Sequence, residues 1–400
     1  MALLPVPEAV SRILSGVVPT ESETVPLAQA IDRVLAAPLA AKRTQPPFPA
    51  SAMDGYAVRA ADATEGARLK LVGASVAGKG FHGKVGAGET VRIFTGAPVP
   101  EGADTILIQE NADAGDSVVT VREAPDRGRH IRRAGLDFSE GEVLLAAGRR
   151  LGHREVSLAA SMNYAAVPVH KKPVVAILAT GDELMQPGGA LGPDQIVASN
   201  TFGIAAMVAR AGGASLDLGI VRDDRADTAR AIDAARDAKA DVLVTLGGAS
   251  VGDHDLVGAA LQERGMALDF WKIAMRPGKP LLFGRLGAMR VLGLPGNPVS
   301  SLVCGILFLE PLIGALLGQP YVEPGEPAVL GVDVSANDGR EDYIRATLAP
   351  TPGGLPAATP LPVQDSSMLS VLTKADCLLV RLANAPAGKQ GERCRVVRLG

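Results

Sequence analysis

The sequence predicts a multidomain α/β protein. We expect a doubly wound, mostly parallel sheet domain, an inserted all-β domain, a small helical N-terminal domain and a C-terminal β-barrel-like domain. Three observations favour this class. The chain has 400 residues, enough for roughly two to four domains. From Pro173, apolar β-branched runs alternate with helical patterns, as in a parallel sheet covered on both faces. Before and after that part, short apolar runs are broken by Gly, Pro and Asp, as in small β domains.

Composition and charge exclude several classes of protein. The formal net charge is −3, with 21% charged and 47% hydrophobic residues, so neither nucleic-acid binding nor disorder is indicated. Cys304, Cys377 and Cys394 are far apart and form no Cys-x-x-Cys pair. This spacing argues against a disulfide framework and a thiolate zinc site, and it favours a reducing, cytoplasmic location.

Membrane insertion and export are also not expected. Arg12 interrupts the N-terminal stretch where a signal peptide needs apolar residues. The stretch from Val299 to Gly318 is long enough to span a bilayer and carries a single charge, Glu310. Because Pro311 follows Glu310 in mid-segment, we interpret it as a buried helix of a large core.

In chain order, helical spacing of apolar residues predicts two short helices, over residues 5–18 and 27–35. The proline-rich segment 46–58 predicts a rigid exposed loop, and residues 69–145 predict short strands. A helix over 154–162 could pack against the first helices. The expected domains are 1–26 with 146–170, split and helical, and 27–145, inserted and β-rich.

The α/β domain is expected over residues 171–322. PVVAILAT, ASLDLGIV, DVLVTL and LDFWKIAM predict its strands, and helices are expected over 201–211, 226–238 and 256–264, the first capped by Ser199 or Asn200. PLLFGRL and MRVLGL predict a closing hairpin. Residues 323–400 contain AVLGVDV, YIRATL, CLLVRL and RCRVVRL, which predict the barrel-like domain.

Charged and glycine-rich loops follow the predicted strands of this sheet. These loops are 180–183, 222–224 and 247–255, and the fourth strand carries Lys272 and leads into 276–279. Because the carboxyl ends of parallel strands line the ligand crevice, carboxylates and cations should meet at one edge. This combination suits a phosphorylated ligand held with a divalent metal. The alternative is that the glycines serve tight turns and the charges are solvated.

Other chemistries find little support in the sequence. It has no Walker Gly-x-x-x-x-Gly-Lys-Ser/Thr loop. His254, between two aspartates, is either a ligand or a solvent-exposed bystander, and the five histidines are too scattered for a zinc site. Cys304 is expected to be structural. Ser300 and Ser301 begin a helix, where they could cap it, bind an anion, or both.

Several long motifs resemble the MoeA family of molybdopterin molybdenumtransferases, whose eukaryotic relatives include the E domain of gephyrin. They are PPFPASAMDGYAV, RIFTGAPVPEGADT, IRRAGLDF, AILATGDEL, TLGGASVGDHD, KIAMRPGKPLLFG, LPGNPVSSLV and GREDYIRA. The resemblance implies Mg²⁺-dependent insertion of molybdate into adenylylated molybdopterin with release of AMP. It also implies a homodimer whose active site lies between the α/β domain of one subunit and the proline-rich loop region of the other.

Carried over to this chain, the resemblance implies the following site residues. Catalytic candidates are Asp54, Thr95, Asp137, Glu183 and Asp223, and metal ligands are Glu183, Asp223 and Asp255. Substrate binding is expected at Gly247, Gly248, Ser250, Asp253, Asp255 and Lys272. The molybdate pocket would comprise Arg276, Pro277, Lys279, Pro280, Ser300 and Arg345, with Ser366 or Ser367. Arg276 stands where many relatives have lysine, which keeps the charge but changes the donor geometry.

Two alternative functions remain open at this point. One is a binding or scaffold protein like the gephyrin E domain, and the other is a molybdopterin adenylyltransferase, whose domain resembles residues 173–320. The flanking β domains and the SAMDGYAV loop speak against the second alternative. Expected partners are adenylylated molybdopterin, molybdate and a second copy of the chain, with the adenylyltransferase and molybdoenzyme chaperones as further candidates.

Overall fold

The computed structural model describes residues 3–247, 256–352 and 354–399. The chain forms two compact units. One comprises Met1–Glu23, Asp32–Ala36 and Val169–Gly400, and the other comprises Thr24–Ile31 and Ala37–Pro168. The predicted multidomain α/β class is confirmed, whereas the division into four domains stays a prediction.

The first of the two predicted N-terminal helices is present and the second is not. Helix α1 (Val6–Leu14) buries Val6, Ala9, Val10 and Ile13 in the core of the first unit. The prediction of a helix over 27–35 is wrong, because only a 3₁₀ turn, Leu27–Gln29, forms there. Asp32 has φ +60°, a left-handed conformation that ends any right-handed helix.

Short strands dominate the chain between residues 22 and 170. They are β1 (Ser22–Pro26), β2 (Leu39–Ala40), β3 (Ala50–Ser51), β4 (Gly55–Val58), β5 (Arg68–Ser75), β6 (Glu89–Ile93), β7 (Thr105–Ile108), β8 (Ala112–Ala114), β9 (Val118–Val121), β10 (Ile131–Arg132), β11 (Val143–Leu145) and β12 (Ala166–His170), with helix α2 (His153–Ser161) after β11. A six-stranded sheet has the order β7-β4-β6-β5-β9-β8. The prediction of an exposed loop over 46–58 is wrong for residues 55–58, because β4 is buried and pairs with a strand on each side. Tyr56 and Ala57 are neighbours on β4 but belong to apolar clusters on opposite faces, as the two-residue period of a strand requires.

The α/β part of the first unit alternates strands and helices as predicted. Its elements are β13 (Val174–Thr180), β14 (Leu184–Met185), β15 (Ile196–Val197), α3 (Asn200–Ala211), β16 (Ala214–Val221), α4 (Arg225–Asp237), β17 (Val242–Leu246), α5 (Leu256–Glu263), β18 (Ala267–Lys272), β19 (Met275–Arg276), β20 (Pro280–Leu286) and β21 (Met289–Leu294). Ser199 stands at the N-cap position of α3, but its side chain makes no capping hydrogen bond.

The central sheet has six strands in the order β16-β13-β17-β21-β20-β18. β13 runs parallel to β16 and β17, β17 runs parallel to β21, and β20 is antiparallel to both of its neighbours. Val175 and Ile177 face one apolar cluster while Ala176 and Leu178 face another, so the sheet is covered on both sides. The chain leaves β13 for β16 on one side and returns to β17 on the other. This reversal creates a topological switch point between β13 and β17.

A long apolar helix follows β21 and is built from α6 (Pro298–Cys304), a π-helical turn (Gly305–Leu309) and α7 (Glu310–Leu316). Pro311 has no N–H and cannot bond to the carbonyl of Leu307, so the wider π turn falls where an α-helical bond is lost. Pro298–Leu316 could cross a membrane by length and composition alone, but 67% of its apolar window is buried inside the fold. This burial agrees with the predicted core helix.

The last part of the chain forms a closed barrel. Its elements are β22 (Glu326–Leu330), β23 (Glu341–Ala349), β24 (Ala357–Pro360), α8 (Leu369–Leu372), β25 (Cys377–Arg381) and β26 (Arg393–Arg398). The strands follow the order β23-β24-β22-β26-β25, and β25 pairs back onto β23. Ala346 on β23 lies in the barrel core, whereas Tyr343 on the opposite strand face lies in the core shared with the sheet and its helices. The barrel therefore packs directly on the α/β part.

Candidate functional site

A cavity of about 530 Å³ opens at the switch point between β13 and β17. Thr180 and Glu183 line it from the end of β13, and Gly247 lines it from the end of β17. The turn 295–298 after β21 and the start of α3 complete its wall, with Ile196 and Val197 as apolar lining. The predicted ligand edge of the sheet therefore holds a cavity with both polar and apolar walls, as a mixed organic ligand would need.

Two glycines are required by the backbone at this edge. Gly247 has φ +93°, and a Cβ atom there would lie 3.0 Å from the carbonyl oxygen of Thr180. Gly181 has φ +147°, and a Cβ atom there would collide with the carboxylate of Glu183. At both positions the positive φ favours glycine, and at Gly247 the close backbone carbonyl adds to this requirement.

Two acidic loops are joined by a hydrogen bond near the cavity. Glu183 also lines an adjoining open hollow with Asp182 and Asp194. Asp182 Oδ1 accepts a hydrogen bond from the backbone N–H of Asp223, with an N–O distance of 3.3 Å. Asp224 instead caps α4, because its side chain accepts from the N–H groups of Ala226 and Asp227. The exposed side chains of Glu183 and Asp223 thus belong to adjoining loops of one acidic edge, and Asp182 is a neighbour that sequence reasoning missed.

The structure describes only some of the predicted metal and substrate ligands. Gly248, Ser250, Asp253 and Asp255, together with His254, lie outside the described residues. Among the residues that the structure does describe, no three His, Cys, Asp or Glu side chains are grouped to hold a metal ion. Lys272, at the end of edge strand β18, places its Nζ 3.7 Å from the ring centroid of Trp271.

The loop 276–279 lies between the sheet and the barrel strand β23. Arg276 donates to Asp342 through Nε at 2.8 Å and Nη2 at 2.7 Å, and this hydrogen-bonded carboxylate raises the pKa of Arg276. Gly278 has φ +110°, and a Cβ atom there would lie 2.5 Å from Cys304 Sγ on α6. Lys279 is exposed and Pro280 lines the cavity. Arg276 therefore anchors the loop to the barrel, a role that sequence reasoning did not foresee.

Arg345 is the most deeply buried arginine among the residues that the structure describes. It lies on β23 and is only 2% exposed. Nη2 donates to the carbonyl oxygen of Asp365 at 3.2 Å, whereas Nε is buried without a hydrogen-bond partner. Desolvation lowers the pKa of Arg345, although an arginine stays charged at neutral pH. A buried cation with an unused donor favours an anionic ligand.

Two adjacent serines near Arg345 have different hydrogen bonds. Ser367 donates from Oγ to Asp365 Oδ1 at 2.6 Å and lines the cavity. Ser366 Oγ accepts from Asn297 Nδ2 at 3.0 Å, and its carbonyl accepts from Val299 N, also at 3.0 Å. Ser300, 5% exposed, lies two residues into α6 after Pro298.

The cap of α6 also differs from the expectation. Asn297, not Ser300 or Ser301, occupies the N-cap position, and its side chain makes no capping hydrogen bond. Ser301 Oγ is buried with no hydrogen-bond partner. Asn200, at the start of α3, donates from Nδ2 to the carbonyl of Gly296 at 2.7 Å and so fixes the turn before the cap. Neither asparagine was predicted as a site residue, although both stand at helix starts, where asparagine is common.

The second unit holds the remaining candidates. Asp54 Oδ1 accepts from the N–H of Thr95 at 2.7 Å and from its hydroxyl at 2.8 Å, and these bonds lower the pKa of Asp54. Asp137 lines a hollow of about 460 Å³ with Arg132 and Gly96, the residue after Thr95. The structure therefore brings Asp54 and Thr95 into direct contact and places Asp137 beside the same loop.

Fold and site together define a multidomain α/β protein with a cavity at the strand ends and a buried cation bonded to the loop 365–367 that contributes Ser367 to the cavity wall. Models of three protein families match the chain in order. They are the MoeA N-terminal region (domains I and II) at residues 4–163, a probable molybdopterin-binding domain at 176–315 and the MoeA C-terminal region (domain IV) at 327–399.

Whole-length relatives agree with these matches. The molybdopterin molybdenumtransferase of Haemophilus influenzae is 35% identical over 94% of both chains, and that of Bacillus subtilis is 35% identical over 97% of this chain and 91% of its own. A crystal structure of the molybdopterin biosynthesis MoeA protein from Pyrococcus horikoshii superposes with a TM-score of 0.85, at 25% identity over 100% of both chains. The chain belongs to the MoeA family of molybdopterin molybdenumtransferases, transferases of molybdenum cofactor biosynthesis.

Proposed function

We propose that this protein inserts molybdate into adenylylated molybdopterin in an Mg²⁺-dependent reaction that releases AMP. The main supporting observation is Arg345, a buried guanidinium whose Nε is unpartnered and whose Nη2 is hydrogen-bonded to Asp365, two residues before Ser367 in the cavity wall. The family membership supports the same reaction. Family matches on both sides of the α/β part favour this activity over that of a stand-alone adenylyltransferase.

The proposed molybdate site combines charge with hydroxyl donors. Arg345 and Lys279 provide positive charge, while Ser300 and Ser366 lie on the helix and loop that meet at Val299. Molybdate is a tetrahedral dianion, so charge-assisted hydrogen bonds from such donors would bind it strongly. Pro277 and Pro280 would give this loop a rigid shape, and Arg276 would act mainly through its bond to Asp342.

The acidic edge would hold the magnesium ion. Glu183 and Asp223 offer hard oxygen ligands, and one or two carboxylates with substrate phosphate oxygens and water are a common magnesium site. These two carboxylates are ligands of the kind that Mg²⁺ takes, and Asp255 is proposed as a third ligand. When bound there, the ion would supply positive charge beside the phosphates of the adenylate. Glu183 would orient these phosphates at the mouth of the cavity, and the apolar walls at Ile196 and Val197 would exclude water from the organic part.

We further propose a homodimer in which Asp54, Thr95 and Asp137 of one subunit complete the site of the other. The adenylyltransferase and molybdoenzyme chaperones are proposed as partners in substrate supply and product removal. The three free cysteines favour the cytoplasm as the place of action.

The experiment that tests the proposed function is the detection of AMP released from adenylylated molybdopterin by mass spectrometry. Release should require the protein, molybdate and Mg²⁺ together, and EDTA should stop it. AMP release at the same rate without molybdate, or no release with all components present, would contradict the proposal.

A further inference from the structure

We infer that Asn297 is a positioning residue that makes Ser366 the hydroxyl donor to the oxyanion. The inference rests on the proposed molybdate site but concerns a residue that no motif-based assignment includes. It follows from the direction of three hydrogen bonds around the loop 364–367 and from a capping bond that Asn297 does not make.

The two serines differ in whether their hydroxyl proton is already donated. A serine hydroxyl has a single proton to donate. Ser367 donates its proton to the carboxylate of Asp365 at 2.6 Å, and its backbone N–H also donates to Oδ1 of that residue at 2.8 Å. Ser366 Oγ accepts from Asn297 Nδ2, so its own proton is free for another acceptor. Of the two candidate serines, Ser366 is therefore the one that can donate to a bound oxyanion.

Hydrogen bonds fix the position of Ser366 relative to Arg345. Gln364 forms a pair of hydrogen bonds with the backbone of Arg345, with distances of 3.0 Å and 2.9 Å. Arg345 Nη2 also reaches the carbonyl of Asp365. On the other side, Val299 N and Asn297 Nδ2 both bond to Ser366. The loop is thus attached to the cation on β23 and to the start of α6.

Asn297 does not make the side-chain bond that is usual for an asparagine at the start of a helix. Asparagine is among the best N-cap residues because its side chain accepts from an N–H of the first helical turn. Asn297 occupies the N-cap position of α6 but makes no such bond, and its amide donates to Ser366 instead. The Asn297 side chain therefore bonds to a residue 69 positions away and not to the first turn of α6, where Pro298 has no N–H and the Val299 N–H bonds to the Ser366 carbonyl.

This arrangement predicts a specific effect of charge at position 297. In Asn297→Asp the carboxylate has no N–H to donate, so it would accept the Ser366 proton and also repel a dianion. In Asn297→Ala the donor is lost but the Ser366 proton remains free. We therefore expect the half-saturating molybdate concentration to rise at least tenfold in Asn297→Asp and by about two- to fivefold in Asn297→Ala. Tungstate should compete with molybdate less effectively in both variants than in wild type, with the larger loss in Asn297→Asp.

The test is a double-mutant cycle on molybdate titrations of AMP release by the full-length protein. Ser366→Ala should raise the half-saturating concentration by about tenfold in the wild-type background, yet less than twofold in the Asn297→Asp background, where the proton is already withdrawn. Asn163→Asp, which introduces the same charge at an exposed turn, should leave the titration unchanged. Thermal midpoints of all variants show whether each is folded.

The outcomes distinguish a failure of the inference about Asn297 from a failure of the proposed function. If Ser366→Ala raises the concentration by the same factor in both backgrounds, Asn297 does not control the Ser366 donor and the inference is wrong, while the proposed function stands. If wild type releases no AMP in response to molybdate, the proposed function fails and the inference fails with it. Should Asn297→Asp not fold, the cycle with Asn297→Ala decides, because coupling of less than twofold there overturns the inference.

Discussion

Glu183 lines both the strand-end cavity and the acidic hollow beside it, so its charge should affect the reaction more than the fold. We expect Glu183→Gln to lower AMP release at least a hundredfold while adenylate binding falls less than fivefold, because a carboxylate near the phosphates acts mainly on developing charge. Single-turnover AMP release and equilibrium binding of the adenylate measure the two effects. Wild-type turnover of the variant at saturating Mg²⁺ would remove Glu183 from the catalytic residues.

Lys279 is an exposed cation of the loop 276–279, next to Gly278, which lies against Cys304. We expect Lys279→Ala to raise the half-saturating molybdate concentration by roughly one to two powers of ten, since a hydrogen bond to a charged group contributes about 1.5–3 kcal/mol. Sulfate, with its shorter bonds, should compete poorly with molybdate in wild type and variant. Titration of molybdate against product formation measures the change, and an unchanged half-saturation would place Lys279 outside the anion site.

Residue-level contacts were predictable from the sequence only where a motif contained them. Asp54 and Thr95 were both predicted, but their mutual hydrogen bonds join residues 41 positions apart and were not. The bond from Arg276 to Asp342 depends on the pairing of β19 with β23, which no local pattern reveals. Asn297 was hidden for a different reason, because an asparagine before a helix is normally explained by capping.

At the scale of elements, helix α4 depends on its N-cap. Asp224 accepts hydrogen bonds from Ala226 N at 2.8 Å and Asp227 N at 2.9 Å. Asp224→Ala should therefore lower the free energy of unfolding by about 1 kcal/mol. Chemical denaturation measures this loss. Asp227→Ala, which removes a first-turn carboxylate that does not cap, is the matched control and should cost clearly less.

The start of α2 predicts a pH dependence of stability. Glu155 accepts from Arg149 and from the N–H of Gly152, and these bonds, led by that to Arg149, lower its pKa from 4.5 to about 2. A carboxyl group with a lowered folded-state pKa stabilises the fold fully above pH 4.5, and this contribution is lost as pH falls towards 2. The thermal midpoints of wild type and Glu155→Gln should therefore differ at pH 6 and converge between pH 4 and 2. A constant difference across this range would contradict the assignment.

Elements with strong apolar patterns were predicted from the sequence, and weakly patterned ones were not. The strands of the sheet and three of its helices were foreseen to within a few residues, because their buried faces require continuous or periodic apolar side chains. Strand β24 was missed, since Ala357–Pro360 has no β-branched run apart from Thr359. Its strand conformation is imposed by pairing with β22 and β23, a long-range constraint that closes the barrel.

At the scale of the whole molecule, the proposed dimer predicts complementation in trans. Asp54→Ala and Glu183→Ala should each be inactive alone, because they affect residues proposed to come from different subunits of one site. Mixed chains that exchange subunits should recover up to about a quarter of wild-type activity per total site, as a heterodimer keeps one intact site of two and random pairing makes half of all dimers hybrid. Activity is followed as AMP release, and subunit exchange by native mass spectrometry. No recovery despite exchange would contradict a shared site.

The π turn in the long apolar helix sets the rotation of α6 about the helix axis relative to α7. Each residue of an α-helix turns the chain by about 100°, so the extra residue in Gly305–Leu309 fixes which way α6 faces relative to α7. If the same residues were wound as a regular α-helix, without the wider turn, α6 would rotate against α7 by roughly that angle. Ser300 would leave the side of the helix on which it now lies, and Cys304 would no longer support Gly278. The orientation of Ser300 in the anion site thus depends on the one extra residue in the π turn. That turn begins more than one helical turn after Ser300.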